Sequence, residues 1–591
     1  MRAANGDPSF SVDWNVSVSH SIYFKSPLRE KRSLQAYLQE ELPLHSLKTY
    51  LLCQRSCAKV YANYFFIRKE IILVLLLNAL FSTAIYGVSS EVLKIIIGAE
   101  YVLTRSLVMH GVTQVLFPVA GHLADTYVGR HNVIRFSLWT AWIGYAALGL
   151  SFSLEDHLGE ITSLNQYVML PACYLVLSIS YVCFTATILP FGMDQMQGAS
   201  HEHYRSFFHW WYWTLNVGVV IVNVPEYCKG WLGLSVIFQA GIGIGCITIA
   251  LILDALFSHW FVIEPSWCLT SPLHQIAKVM RYVSTAPSPR QQRIPSLVRH
   301  ELPLGFGSAS RMDLAKRRYG GRWESEEVED VRTFCRMLGM LLALGLPVFS
   351  YSGVFSTVGL MASQMNETLV SLRLQTRFCD IRFAVNDVIS SILVLTFIPI
   401  LDLVIVPFLG NFNPSIRKRM GIGAFLCCVS VVTMLVLEAV GRPFGSQTIC
   451  MFNGAQEERL SINVYWILLP SLIMTIAQVL IYISVFEFIC AQSPYNMRGL
   501  LIGIFFSIQG MFSLLSVVVQ YIFSLEVVYA FPFIRKTGCS CTFWYYFVII
   551  CVSLGGFVLY VITALKYTKR KREDGIVNEI SMIEDYFVPV A

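Results

Sequence analysis

The sequence predicts an all-α membrane protein with twelve transmembrane helices in two six-helix bundles. Three observations carry this. Of 591 residues, 55% are hydrophobic and only 14% are charged, whereas soluble globular chains carry roughly a quarter charged residues. The apolar residues gather in runs about 20 long, the length a helix needs to cross a ~30 Å hydrocarbon core. The runs fall into two sets, separated by a polar stretch over residues 265–333. They are continuously apolar and not alternating, which excludes a closed β-barrel.

The chain opens with a polar leader, residues 1–69, and shows no cleavable signal peptide before the first apolar run near Ile71. Spans are expected near 70–97, 102–124, 132–154, 166–191, 206–225 and 232–262, which fill an N-terminal bundle over 70–263. A second set near 334–361, 383–409, 420–441, 462–490, 499–526 and 542–566 fills a C-terminal bundle over 334–567. Residues 264–333 form a central loop and residues 568–591 a tail. The first part of the central loop, rich in Pro, Arg and Lys, reads as disordered. Its last part, before Val331, reads as helix-prone with a break at Gly320 and Gly321.

Short loops set the orientation. Arg130, Arg135, Arg205, Arg417, Lys418, Arg419 and Arg498 fall on one side, with the basic cluster Lys566–Arg572. Acidic or mixed loops, such as Glu155, Asp156 and Glu160, fall on the other. The positive-inside rule then places both termini in the cytosol. The sequon at Asn366 follows helix 7 on the outer or luminal side and is the expected glycosylation site. The 16 cysteines show no zinc spacing. Cys228, Cys379, Cys450, Cys539 and Cys541 map to non-cytosolic loops, where an oxidising compartment allows pairing. His201 and His203 lack a third ligand, so no metal and no cofactor are expected. The net charge of +6 sits in loops and is not a nucleic-acid signal; the expected partners are the lipid bilayer, a small-molecule solute and protons.

The stretch from Phe191 to Gly218 carries the most chemistry. An Asp194-Gln195 pair ends helix 4, and helix 5 opens with Phe207, Phe208, Trp210, Trp211, Tyr212 and Trp213. Aromatics suit the headgroup level. Asn216, a turn deeper, needs a polar partner or a cavity. Glu487, an acid in an apolar run, is a functional candidate for the same reason.

Two six-helix halves around a long loop resemble the major facilitator superfamily, whose carriers rock two halves around a midplane site. The segment GHLADTYVGRH, Gly121 to His131, resembles that superfamily's gate motif, with Asp125 and Arg130 at its charged positions. FGMDQM followed by FFHWWYWTLNVG is similar to the proton-coupled oligopeptide transporter family. So are IPILDLVIVPFL (Ile398–Leu409), with Pro399, Asp402 and Pro407, and VFEFICAQSPYNMRGLLIGIFFSIQG. GGRWESEEVEDVR is closest to the family's peptide/histidine branch. The resemblance covers residues 70–567.

The resemblance implies proton-driven uptake of di- and tripeptides or histidine. A zwitterion needs an anion for its ammonium end and cations for its carboxylate end. Glu487 falls on the family's helix 10 Glu, Asn216 on its helix 5 Asn, and Tyr86 on the end of its helix 1 motif. Asn78 and Phe81 stand where the two helix 1 glutamates belong, Ser82 where the Arg belongs, and Thr185 where the helix 4 Lys belongs. The expected substrate-binding set is therefore Glu487, Asn216, Tyr86, Thr185, Ser82 and Asn78, with both family cations missing. Glu487, without its helix 4 partner, remains the candidate for proton coupling. Asp125 and Arg130 are expected gate residues. Gln478 and Gln509 read as interhelix hydrogen bonders, and His110 as a core histidine that could face the cavity. Asn386 and Asp387 read as interface caps.

The degenerate motif leaves an alternative: a transport-inactive relative serving as a membrane receptor or scaffold. No phosphate loop, His-Glu-x-x-His or Gly-x-Ser-x-Gly element is present, so no enzyme is expected. The expected location is the plasma membrane or an endolysosomal membrane, with the peptide/histidine branch leaning towards the latter.

Overall fold

The computed structural model describes residues 68–97, 102–158, 168–196, 199, 201–227, 236–263, 271–285, 311–317, 321–366, 390–409, 414–441, 460–524 and 541–567. Cys228, Cys379, Cys450, Cys539, Asn386 and Asp387 lie outside them.

Within those residues, helical segments follow the expected runs. The N-terminal set is α1 (Lys69–Ile97), α2 (Val102–Val115, continued by Phe117–Leu123), α3 (Arg130–Leu158), α4 (Leu170–Gln195), α5 (His201–Tyr227) and α6 (Val236–Phe257). The C-terminal set is α7 (Ser325–Gln364), α8 (Ser390–Ile400, continued to Leu409), α9 (Ile416–Gly441), α10 (Leu468–Gln492), α11 (Arg498–Ser524) and α12 (Cys541–Lys566). Nine of the described helices are long and apolar enough to cross a membrane. Helices α2, α5 and α8 fall short of that measure because Pro118, the polar start of α5 and the short run of α8 interrupt them.

Each set packs on itself. In the first, α1 lies against α5, α6 and α4, and α3 against α4 and α6. In the second, α9 lies against α10 and α12, and α7 against α12 and α11. Two helix pairs make most of the join between the bundles, α2 with α11 and α5 with α8, and α4 with α11 and α5 with α10 add to it. The α2–α11 crossing is close because glycine faces glycine. A Cβ on Gly121 would stand 2.2 Å from the Gly499 carbonyl oxygen, and one on Gly503 would stand 2.6 Å from the Phe117 carbonyl oxygen. Small residues permit such approach between membrane helices.

After α2 a π-helical turn, Ala124–Val128, leads to Gly129, whose φ of 88° reverses the chain into α3. Glycine adopts that backbone region without a steric penalty. The Asp194-Gln195 pair closes α4 on two partners. Asp194 receives Arg130, and the Gln195 amide exchanges hydrogen bonds with the backbone N–H and carbonyl of Val262 after α6 (2.8 and 3.1 Å). At the far end Met365–Asn366 pairs in parallel with Leu460–Asn463, Asn366 opposite Asn463. The Asn366 backbone therefore sits at the end of the described residues opposite the arginines.

The central loop corrects one expectation. Its first part contains a helix, Pro272–Thr285. That helix lays Ile276, Val279, Tyr282 and Val283 against Met312, Ala315, Trp323, Val328 and Val331. Apolar residues three and four apart make one buried stripe despite the basic composition. Helix α7 begins among these residues. Its 40 residues span about 60 Å at 1.5 Å per residue, so its first turns extend beyond a bilayer core. Lys316 Nζ meets Glu329 at 2.6 Å and Asp313 at 3.0 Å, and Arg332 reaches the same two carboxylates at 2.6 Å each.

Candidate functional site

Three layers lie between the bundles, stacked along the helix axes. The outermost, at the arginine-rich end, is ionic. Arg130 donates from Nε to Asp125 Oδ1 at 2.9 Å and from Nη1 to both Asp194 oxygens at 2.7 Å. Asp125 Oδ2 accepts the Leu500 backbone N–H at 3.1 Å, which ties α2 to the positive N-terminal end of α11. The expected gate pair therefore joins four helices, α2, α3, α4 and α11, and both bundles. A little deeper, His209 Nδ1 of α5 stands 2.8 Å from Asp402 Oδ1 of α8, and Ser206 Oγ donates to Asp402 Oδ2 at 3.0 Å. Beside them Arg419 of α9 donates to Glu487 Oε2 at 2.6 Å, and Arg205 of α5 stands 3.8 Å from Glu487 Oε1.

The second layer is aromatic. Phe486 of α10 packs on Trp211 of α5 (centroids 5.3 Å) and on Phe505 and Phe506 of α11 (5.8 Å each). Phe506 meets Phe117 of α2 at 4.8 Å. This layer closes the space between the bundles.

The third layer is a cluster of phenols and amides. Tyr212 of α5 stacks on Tyr482 of α10 across the bundle interface (5.8 Å). Tyr181 of α4 is hydrogen-bonded to Tyr86 of α1, and Tyr482 to Gln509 of α11. Asn216 donates to the Tyr212 carbonyl at 2.8 Å and also meets its hydroxyl. Tyr351 of α7 is near Tyr212 and Tyr482. Six helices from both bundles thus supply one chamber. Beyond it, the interior stripe of α2 runs His110, Gln114, Phe117, Gly121, and Gln114 Nε2 lies 2.9 Å from His110 Nε2. Gln114, Phe117 and Gly121 are buried, while His110, further from the arginines, is exposed.

The expected site residues are divided among these layers. Asn216 and Tyr86 belong to the chamber. Thr185 is buried on α4 one turn from Tyr181, towards the aromatic layer. Asn78 donates to the Trp211 carbonyl at 3.1 Å and to Thr214 at 2.9 Å, and Ser82 donates to the Asn78 carbonyl at 2.6 Å. Asn78 thus ties α1 to α5, Ser82 turns back on its own helix, and neither is among the residues that meet in the chamber. Glu487 is 3% exposed and sits below the aromatic layer, five residues from Tyr482 along α10.

The expectation that Glu487 lacks a basic partner is corrected, because Arg419 supplies one. In the sequence Arg419 is only an orientation signal. Successive residues of a helix turn by about 100°, so the three cations at the start of α9 point in different directions: Arg419 reaches Glu487 and Arg417 binds the Ala564 carbonyl at 2.9 Å. His209 was missed because it stands inside an aromatic run, with its acid 193 residues away.

Two bundles joined around a polar midplane chamber define a secondary-transporter architecture. Comparisons with known proteins agree. The family model described as PTR2, POT family, matches residues 131–532, and the chain belongs to the POT family. Members are transporters and not enzymes. The mouse solute carrier family 15 member 3 is 22% identical over 484 residues, covering 75% of this chain and 81% of that protein. The Arabidopsis thaliana NRT1/PTR family 5.13 protein is 24% identical over 458 residues, 70% of this chain and 76% of that one. The crystal structure of an auto-inhibited POT family peptide transporter matches with a TM-score of 0.58 at 20% identity, over 86% of this chain and 98% of the other. That of the POT family transporter PepTSo matches with 0.59 at 17% identity, over 85% and 98%.

Proposed function

We propose that this protein moves small peptides or histidine-like amino solutes by alternating access. The observation that carries the reading is the chamber, to which α1, α4 and α5 of one bundle and α7, α10 and α11 of the other contribute polar side chains. A receptor or scaffold has no use for a phenol cluster capped on one side and open on the other. The arginine-rich end is cytosolic by the positive-inside rule, and both termini share that side. The described conformation is then closed to the cytosol.

Opening that end requires α5 to leave α8 and α10, which parts His209 from Asp402 and Arg205 from Glu487. Glu487 then keeps Arg419 beside it in the same bundle but loses Arg205; its charge is less well compensated in a low-dielectric surrounding, and a proton taken up at that moment offsets the loss. Glu487 thereby links proton movement to opening, even though the helix 1 acids are absent. The test is solute uptake into vesicles holding the purified chain, with and without an imposed pH gradient. Gradient-stimulated uptake that loses its pH dependence in Glu487→Gln supports the reading; no uptake in either condition removes it.

A further inference from the structure

We propose that the acidic stretch of the C-terminal tail, residues 573–587, docks on the outer face of the linker helix Pro272–Thr285.

That helix carries two apolar stripes. Ile276, Val279 and Val283 lie against α7 and the segment before it. Leu273, Ala277 and Met280 recur at the same helical spacing and face outward, Leu273 and Met280 each 42% exposed. His274, Lys278 and Arg281 are exposed beside this second stripe, and the helix holds no acid. Neither Lys278 nor Arg281 makes an ion pair among the described residues. A row of exposed apolar side chains rimmed by polar ones marks an interaction surface.

The tail supplies the complement. Residues 568–591 lie outside the described ones, but their pattern is explicit. Ile576, Ile580, Ile583 and Phe587 recur at i, i+4, i+7 and i+11. Glu579 and Glu584 flank that stripe, and no Lys, Arg or His follows Arg572. An amphipathic segment of this kind lays its apolar side on an apolar groove through anchors at these spacings, and opposite charges beside the seam set the choice of partner. An anionic lipid surface matches the cations of the linker helix and repels the acids of the tail, whereas the two faces match each other on both counts.

The reach is sufficient. Cys335 of α7 packs against the cluster that holds the linker helix, and its neighbour Arg336 lies beside Tyr567, where the tail begins. Residues 568–575 extend up to about 26 Å, more than the ~21 Å length of a helix of 14 residues. Just before the linker helix, Ser271 Oγ lies 3.2 Å from His122 Nε2 of α2. An occupant of its outer face thus lies on a segment held by both bundles.

The test is thiol labelling of Met280→Cys in the purified full-length chain, held in nanodiscs of zwitterionic lipid and read by mass spectrometry of that peptide. Ile580→Ser with Ile583→Ser should speed labelling at least five-fold. Lys278→Glu with Arg281→Glu should speed it likewise, and adding Glu579→Lys with Glu584→Lys should return it to within two-fold of the starting rate. An unchanged rate when the tail stripe is broken overturns the proposal, as does a reversal of both charge sets that restores nothing. Labelling slowed by added anionic lipid to the same extent with and without Ile580→Ser and Ile583→Ser assigns the face to the leaflet and overturns it too.

Discussion

His209 on α5 and Asp402 on α8 meet at 2.8 Å with both side chains buried, and between them they fasten one bundle to the other. Removing one member of a buried pair leaves the other without compensation, at roughly 3–5 kcal/mol. Asp402→Asn should lower the thermal midpoint of the purified protein and raise labelling of chamber residues from the arginine-rich face. His209→Gln should do the same. An unchanged midpoint together with unchanged labelling in both variants would show that the pair does not hold the gate.

Arg419 and Glu487 should behave as a coupled pair. Arg419→Gln and Glu487→Gln are each expected to weaken the closed state, and the double variant to cost less than the two losses added. Coupling of about 1–3 kcal/mol in a double-mutant cycle is expected for directly contacting residues. Additive losses would mean that the 2.6 Å contact carries no interaction energy.

Gly121 tests the steric side of closure. A methyl group there would collide with the Gly499 carbonyl at 2.2 Å, and both atoms that clash are on or next to backbone. Gly121→Ala should therefore hold α2 away from α11 and favour the state open at the arginine-rich end. The expected readout is faster thiol labelling of Ser206→Cys from that face. Labelling as slow as in Ser206→Cys alone would contradict the close packing.

Trp323 and Lys316 hold the folded part of the central loop. Trp323 packs edge-on against Tyr282 at 5.1 Å, and Trp323→Ala should raise amide exchange across Pro272–Thr285 with little change in α9 to α12. Burial works against the charge on Lys316, but its bonds to Glu329 and Asp313 outweigh that and raise its pKa above the ordinary lysine value. A raised pKa stabilises the folded form below the ordinary value and the benefit fades as pH climbs through the folded value. Amide protection of the linker helix should accordingly fall at strongly alkaline pH, and the fall should be absent in Lys316→Met.

Much of the scaffold was legible from residues alone. The apolar runs of α1, α3, α4, α6, α7 and α9 to α12 announce themselves because lipid removes the alternatives to a helix. The meeting of Asp125 with Arg130 was readable because the two are local in sequence. The linker helix Pro272–Thr285 was not, since its apolar stripe is narrow and its composition basic. Partners across the bundles were the least visible. His209 with Asp402 and Arg419 with Glu487 are separated by 193 and 68 residues, and no local pattern encodes such meetings. Asn78 and Ser82 make hydrogen bonds to helix backbone, a use of amides and hydroxyls that membrane helices share with ligand sites, so position in the sequence alone does not separate the two.

The claim on which the rest depends is that both bundles line one chamber, reachable from one face and sealed at the other by the Trp211–Phe486 layer. The direct measurement is labelling of Asn216→Cys by a membrane-impermeant thiol reagent applied to one face at a time, read by mass spectrometry of that peptide. Labelling from the face opposite the arginines, slow labelling from the arginine-rich face, and acceleration of the latter in Asp402→Asn are the results expected. No labelling from either face, or equal labelling from both, would contradict a chamber with a closed gate.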